Sequence, residues 1–257
     1  MKHPTTIQIT ALKSLILAMA DDEWMMGDRG ATWLALTPDL EEDLAMSSIS
    51  QDEIGHAALL YTLLEELGEP GADTMVYERG PENWHHAVIA QHPTHSWAEW
   101  VVRRYCYEVF DDIRRKALAR IPYPPLIASL KKMDAEESYH LLHFRSLMSM
   151  LARGGPLSRS YVDTAILADW PLLADLFEWG GRDEAWVLWD AGQLAPSAMR
   201  SAFDLVVQRD LIAWELEWPG PVRVADRAAR HHDNSKTLPE LLQHMREVRH
   251  IALAGNW

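Results

Sequence analysis

Two copies of a short motif constrain this chain more than anything else in it. Gln51-Asp52-Glu53-Ile54-Gly55-His56 and Glu136-Glu137-Ser138-Tyr139-His140 each place a Glu three residues before a His. Both lie in runs that read as helix, where residues i and i+3 share a face. Each copy also follows a lone carboxylate at nearly the same distance. Glu23 lies 30 residues before Glu53, and Glu108 lies 29 before Glu137. Four carboxylates and two imidazoles on four helices form the ligand set of a dinuclear carboxylate site, which predicts an all-α, ferritin-like four-helix bundle.

The motif alone is weak. Glu-x-x-His occurs four times, the others being Glu82/His85 and Glu247/His250. With 19 Glu and 12 His in 257 residues, chance gives about one. Glu82/His85 follows Gly80-Pro81, and Glu247/His250 has no symmetric partner, so both read as noise. The other two gain weight from the upstream carboxylates and from an acid just before each Glu, Asp52 and Glu136. Mid-helix carboxylates facing a core are costly unless paired or bound to metal. Metal ligands are therefore expected at Glu23, Glu53, His56, Glu108, Glu137 and His140. Asp52 and Glu136 are expected to accept an imidazole N–H and fix the ring. Carboxylate and imidazole donors suit two iron ions, with Mn or a mixed Fe/Mn pair fitting the same set.

Taken in order, residues 5–30 read as the first helix, closed by Gly27 and Gly30. Thr37-Pro38-Asp39 reads as the start of the second, with Thr37 as N-cap, and Gly68 as its end. A crossover follows over 69–94, with a short helix around 84–90. Ser96-Trp97-Ala98-Glu99 reads as a capping box opening the third helix. The fourth is expected over about 125–152. Further helices are expected at 156–180, 182–192, 196–217 and 237–252, with a second capping box at Thr237–Glu240. A single domain over 1–257 is expected, with 5–152 as metal-binding core and 153–257 as accessory helices.

A net charge of −14 argues against nucleic acid or an anionic membrane surface as partner. One cysteine, Cys106, excludes an intrachain disulfide and a Cys-rich zinc site. It reads as a core residue. With no apolar stretch of bilayer length and no signal-like N-terminus, a cytoplasmic protein is expected. His85, His86, His92 and His95 read as surface or cap residues. Arg103/Arg104 and Arg114/Arg115, which flank Glu108, read as a solvated face.

These segments resemble the paired ferritin-like subunits of the phenylacetyl-CoA epoxidase system. Asp22-Glu23-Trp24-Met25-Met26-Gly27, the 51–56 motif, Pro93-Thr94-His95-Ser96-Trp97-Ala98 and the 136–140 motif are similar to the catalytic, metal-binding subunit. Chain length and the segment from Leu238 to Gly255-Asn256-Trp257 are similar to its shorter structural partner, which has usually lost ligands that this chain keeps. The resemblance implies a diiron monooxygenase in phenylacetate catabolism. It would use O₂, a small organic substrate such as an aromatic acyl-CoA thioester, and a separate reductase, as a homo- or heterodimer. Glu53 and Glu137, by their places in the motifs, would be the bridging, catalytic ligands. Glu108 stands where the family has a shorter Asp. The rival expectation is a non-catalytic scaffold subunit that pairs with a metal-bearing one. A ferritin-like iron store is a third.

Overall fold

The computed structural model describes residues 4–179, 185–225, 230 and 237–254. Every regular element among them is helical, and four long helices form an all-α, ferritin-like bundle. These are α1 (Thr6–Ala31), α2 (Leu40–Glu66), α5 (Trp97–Leu118) and α6 (Pro124–Arg153). The crossover between α2 and α5 carries two short helices, α3 (Ala72–Tyr77) and α4 (Val88–Gln91), around a 3-10 turn at Pro81–Asn83. After the bundle come α7 (Pro156–Asp169), α8 (Ala185–Leu188), α9 (Pro196–Ala213) and α10 (Thr237–Ala254). No described helix is long and apolar enough to cross a membrane.

Local chemistry explains the boundaries. Thr5 caps α1 in a reciprocal box with Gln8. Leu12, Leu15, Ile16 and Met19 then repeat at helical spacing and are fully buried. The helix does not close at Gly27 and Gly30 but runs through them, because both face α2 at close range. A Cβ on Gly27 would meet Ile54 Cδ1 at 2.9 Å and Ser50 O at 3.0 Å; one on Gly30 would meet Ser50 Oγ at 2.5 Å. The cap of α2 is Asp39, not Thr37. Its carboxylate accepts from Glu42 N at 2.9 Å, while the Thr37 hydroxyl is engaged with Asp39 O.

Ser96 caps α5 by accepting from Glu99 N, but Glu99 returns to His95 N, one residue before the cap. The crossover helix expected at 84–90 is instead split, with Trp84 buried between two turns. Helix α7 stops at Asp169 and passes into a 3-10 turn at Trp170–Asp175, since Pro171 has no N–H for a helical ladder. In the described part of the expected 182–192 helix, α8 ends at Leu188; residues 180–184 lie outside those described. The side chains of Thr237 and His250 also lie outside them, with the second capping box and the fourth Glu-x-x-His.

The two halves of the bundle are α1 packed on α2 and α5 packed on α6, joined through α2 against α6. Helices α7 and α9 cover α5, while α8 and α4 lie on α1. Helix α5 is therefore buried on nearly every face, and its charged residues have to find partners inside the protein.

Candidate metal centre

One residue from α1, two from α2, one from α5 and two from α6 converge inside the bundle. Glu23, Glu53, Glu108, Glu137 and His140 are at most 1% exposed, and His56 is 4% exposed. They form two groups of potential metal donors. Glu23, Glu53, His56 and Glu137 make one; Glu53, Glu108, Glu137 and His140 make the other. Within a group, the donor atoms lie within 4.8 Å of one another. Both groups contain Glu53 and Glu137. All six residues expected from the sequence are thus brought together, and none falls elsewhere.

The two motif histidines are oriented by acids from the opposite motif. His56 Nε2 is 2.8 Å from Glu136 Oε2, and His140 Nε2 is 3.3 Å from Asp52 Oδ2. Each acid precedes the Glu of its own motif yet serves the imidazole of the other helix. With Nε2–H directed to a carboxylate, the Nδ1 atoms are the ones turned to the shared centre. His56 Nδ1 lies 2.8 Å from Glu137 Oε1 and 3.8 Å from Glu23 Oε2. His140 Nδ1 lies 3.5 Å from Glu53 Oε1 and 3.8 Å from Glu137 Oε2.

The residues fit a metal pair by a further criterion. Glu23 Oε2, Glu53 Oε2, His56 Nδ1, Glu108 Oε2, Glu137 Oε1 and His140 Nδ1 are all buried without an aligned hydrogen bond. Among the described residues, every buried carboxylate oxygen left this way belongs to one of these four glutamates. Buried polar atoms are ordinarily satisfied. Six such atoms, on residues whose donor atoms lie within 4.8 Å in each group, are a donor set that could hold a metal, although His56 Nδ1 and Glu137 Oε1 approach to 2.8 Å.

The sequence matches the family described as "Phenylacetic acid catabolic protein" over residues 2–257. The chain belongs to this family. Two of its relatives are the C and A subunits of 1,2-phenylacetyl-CoA epoxidase from Escherichia coli (strain K12). The C subunit is 27% identical over 168 residues, which cover 65% of this chain and 68% of that relative. The A subunit is 27% identical over 139 residues, or 54% of this chain and 44% of the relative. The second match thus spans less than half the length of that relative.

Electrostatics in the centre follow from four buried acids at close range. Burial, reinforced by Asp111, Glu53 and Glu137, raises Glu23 well above the carboxylate range. Burial also raises Glu137. Glu108 is pushed up to about 8 by burial and by Glu137 and Glu53, against the pull of Arg104. Glu53 goes the other way: burial opposes its charge, but Arg104 and His140 outweigh burial and hold it well below. For His56, burial disfavours the imidazolium, yet Glu137 and Glu23 outweigh it and move the ring up to about 12. His140 reaches about 9 by the same competition with Glu53 and Glu108.

The arginines of α5 overturn the solvated-face expectation. Arg103, Arg104, Arg114 and Arg115 are all buried. Arg103 pairs with Asp169 of α7 at 2.7 Å. Arg104 reaches Glu53 and Glu108 inside the candidate centre. Arg114 Nη2 donates to Glu23 Oε1 at 2.9 Å and Tyr107 OH donates to the same oxygen at 3.1 Å. Helical spacing held the signal for one of these, since Arg104 stands four residues before Glu108 and so shares its face. Nothing local marked Tyr107. His86 is also a core residue, with Nε2 3.0 Å from Gln91 Oε1. Cys106 is buried as expected, and burial pushes its thiol up, away from nucleophile chemistry.

Proposed function

We propose that this chain is a dinuclear-metal oxygenase subunit of phenylacetate catabolism. The observation that carries it is the set of six orphaned donors in two groups sharing Glu53 and Glu137. In this reading Glu53 and Glu137, which belong to both groups, would help to hold both ions. Glu23 and His56 complete one position; Glu108 and His140 complete the other. Hard carboxylates with imidazole suit iron, with Mn or a mixed pair as the alternative. A bound iron pair would supply O₂ activation, in which one oxygen atom enters the substrate and the other leaves as water with two electrons from a separate reductase and two protons.

The chain's own residues do the rest. The crossed Glu136–His56 and Asp52–His140 pairs fix ring orientation and leave Nδ1 free to ligate. The six side chains are at most 4% exposed, which shields the centre from bulk water. Family membership and the two epoxidase relatives support a substrate such as phenylacetyl-CoA and a partner subunit.

A second reading, a scaffold protein paired with a metal-bearing partner, is favoured by one observation: the alignment with the epoxidase C subunit covers more of this chain than the other alignment does. The complete donor set weighs against it. Anaerobic loading with Fe(II), desalting and metal analysis separates the two. About two irons per chain in the wild type, lost in Glu53→Ala/Glu137→Ala, supports the oxygenase. No retained metal in either protein, with stable capture of a metal-bearing partner, supports the scaffold.

A further inference from the structure

One cation is already built into the centre. Arg104 Nη2 donates to Glu53 Oε1 and to Glu108 Oε1. The guanidinium is 1% exposed and is walled by Phe144, Trp100 and Tyr107, with ring centroids 5.0, 5.8 and 5.9 Å from Cζ. Its only carboxylate ion pairs among the described residues are with these two proposed ligands, and its Nε is buried without a partner. Arginine does not shed its charge in such a place.

The two groups are consequently unlike. Glu108 serves only the group with His140, and Glu53 serves both. Arg104 therefore sits on two of the four donors of the His140 group but on only one of the His56 group. Arg114 does touch Glu23, on the His56 side, but its charge is shared with Asp22 and Asp111. Like Arg104 on Glu53 and Glu108, it takes Oε1 and leaves Oε2 without an aligned hydrogen bond. A cation entering beside Glu108 meets a positive charge whose only carboxylate partners among the described residues are proposed ligands; one entering beside Glu23 meets a guanidinium also balanced by Asp22 and Asp111.

We propose that Arg104 makes the two metal positions unequal. The position built on Glu23 and His56 fills first, and the one built on Glu108 and His140 fills only as the guanidinium gives up Glu53 and Glu108. This rests on the dinuclear reading above. Arg104 is a positioning residue here: it sets the order of assembly and holds the metal-free centre together by offsetting its acids.

The test is anaerobic titration of the full chain with Co(II), followed by visible absorption and by metal retained after desalting. Wild type is expected to bind two equivalents, the second about 10- to 100-fold more weakly, the range by which groups behind metal ligands tune affinity. In Arg104→Met the gap closes from the weak side, while the metal-free protein melts lower and recovers more on Co(II) addition. Arg104→Gln is the second variant if Arg104→Met does not fold. Two equivalents of equal affinity in wild type overturn the proposal and leave the dinuclear reading standing. An unchanged gap in a folded Arg104 variant does the same. Failure of wild type to hold any Co(II) overturns both.

Discussion

At the scale of single residues, the crossed acid–imidazole pairs have a consequence that sequence neighbours would not suggest. Asp52 precedes Glu53 and lies in the motif of His56, yet it meets His140. Glu136 likewise meets His56. Asp52→Asn should therefore disturb the His140 ring and spare His56, and Glu136→Gln should do the reverse. Side-chain ¹⁵N NMR of the imidazoles checks this directly. If Asp52→Asn moves the His56 signals instead, the crossed arrangement is wrong. Each variant should also bind metal about 10- to 100-fold more weakly, since the acid fixes the tautomer that leaves Nδ1 available. The acids as ring partners were readable in the sequence from their place beside the expected ligands. Which ring each would serve was not, because that depends on how α2 and α6 face each other across the bundle.

At the scale of elements, the α1–α2 contact is set by absent side chains. Gly27 lies one turn beyond Glu23, and its nearest neighbours are Ile54 and the Ser50 carbonyl, which bracket Glu53 on α2. Gly27→Ala adds helix propensity but presses on Ile54 and the Ser50 carbonyl where the two helices carry the proposed ligands. The overpacking should cost about 1–3 kcal/mol and outweigh the gain from propensity, which is about 1 kcal/mol. Thermal melting of the metal-free protein reads the loss, and a rise in melting temperature would contradict it. The four bundle helices were legible because apolar periodicity and ligand spacing agree along them. The glycines misled because the same residue that ends a helix also permits close packing within one. The crossover and the turn after α7 were less legible. Their short helices are held by tertiary contacts such as Val88 N to Asp175, beyond any local pattern. The arginines of α5 escaped because burial of a charge depends on what covers it, and α7 and α9 lie far along the chain from α5.

At the scale of the whole molecule, ion pairs that are buried except at Asp134 link the candidate metal centre to the residues around it. Asp134 on α6 holds Arg115, which pairs with Asp111; Asp111 also binds Arg114, and Arg114 binds Asp22 and Glu23 on α1. Arg230 closes on Asp22 at 2.9 Å and donates to the carbonyls of Leu176 and Glu178. Removing one partner from such a network strands a charge in the interior, which typically costs about 3–5 kcal/mol. Asp111 is the hinge of the chain, fully buried between two guanidiniums. Burial opposes its charge, but Arg114 and Arg115 outweigh burial and hold its carboxyl below the usual range. A carboxyl with a depressed folded pKa stabilises the protein above its unfolded value of about 3.9, and that stabilisation is lost as pH falls toward the folded value. Asp111→Asn lacks the charge at every pH. Urea unfolding should therefore find wild type about 3–5 kcal/mol more stable than Asp111→Asn at pH 7, with the gap narrowing as the pH is lowered below 4. A gap that stays constant into acid would mean that Asp111 contributes through packing and neutral hydrogen bonds. The charge network would then not be what ties α1, α5 and α6 together.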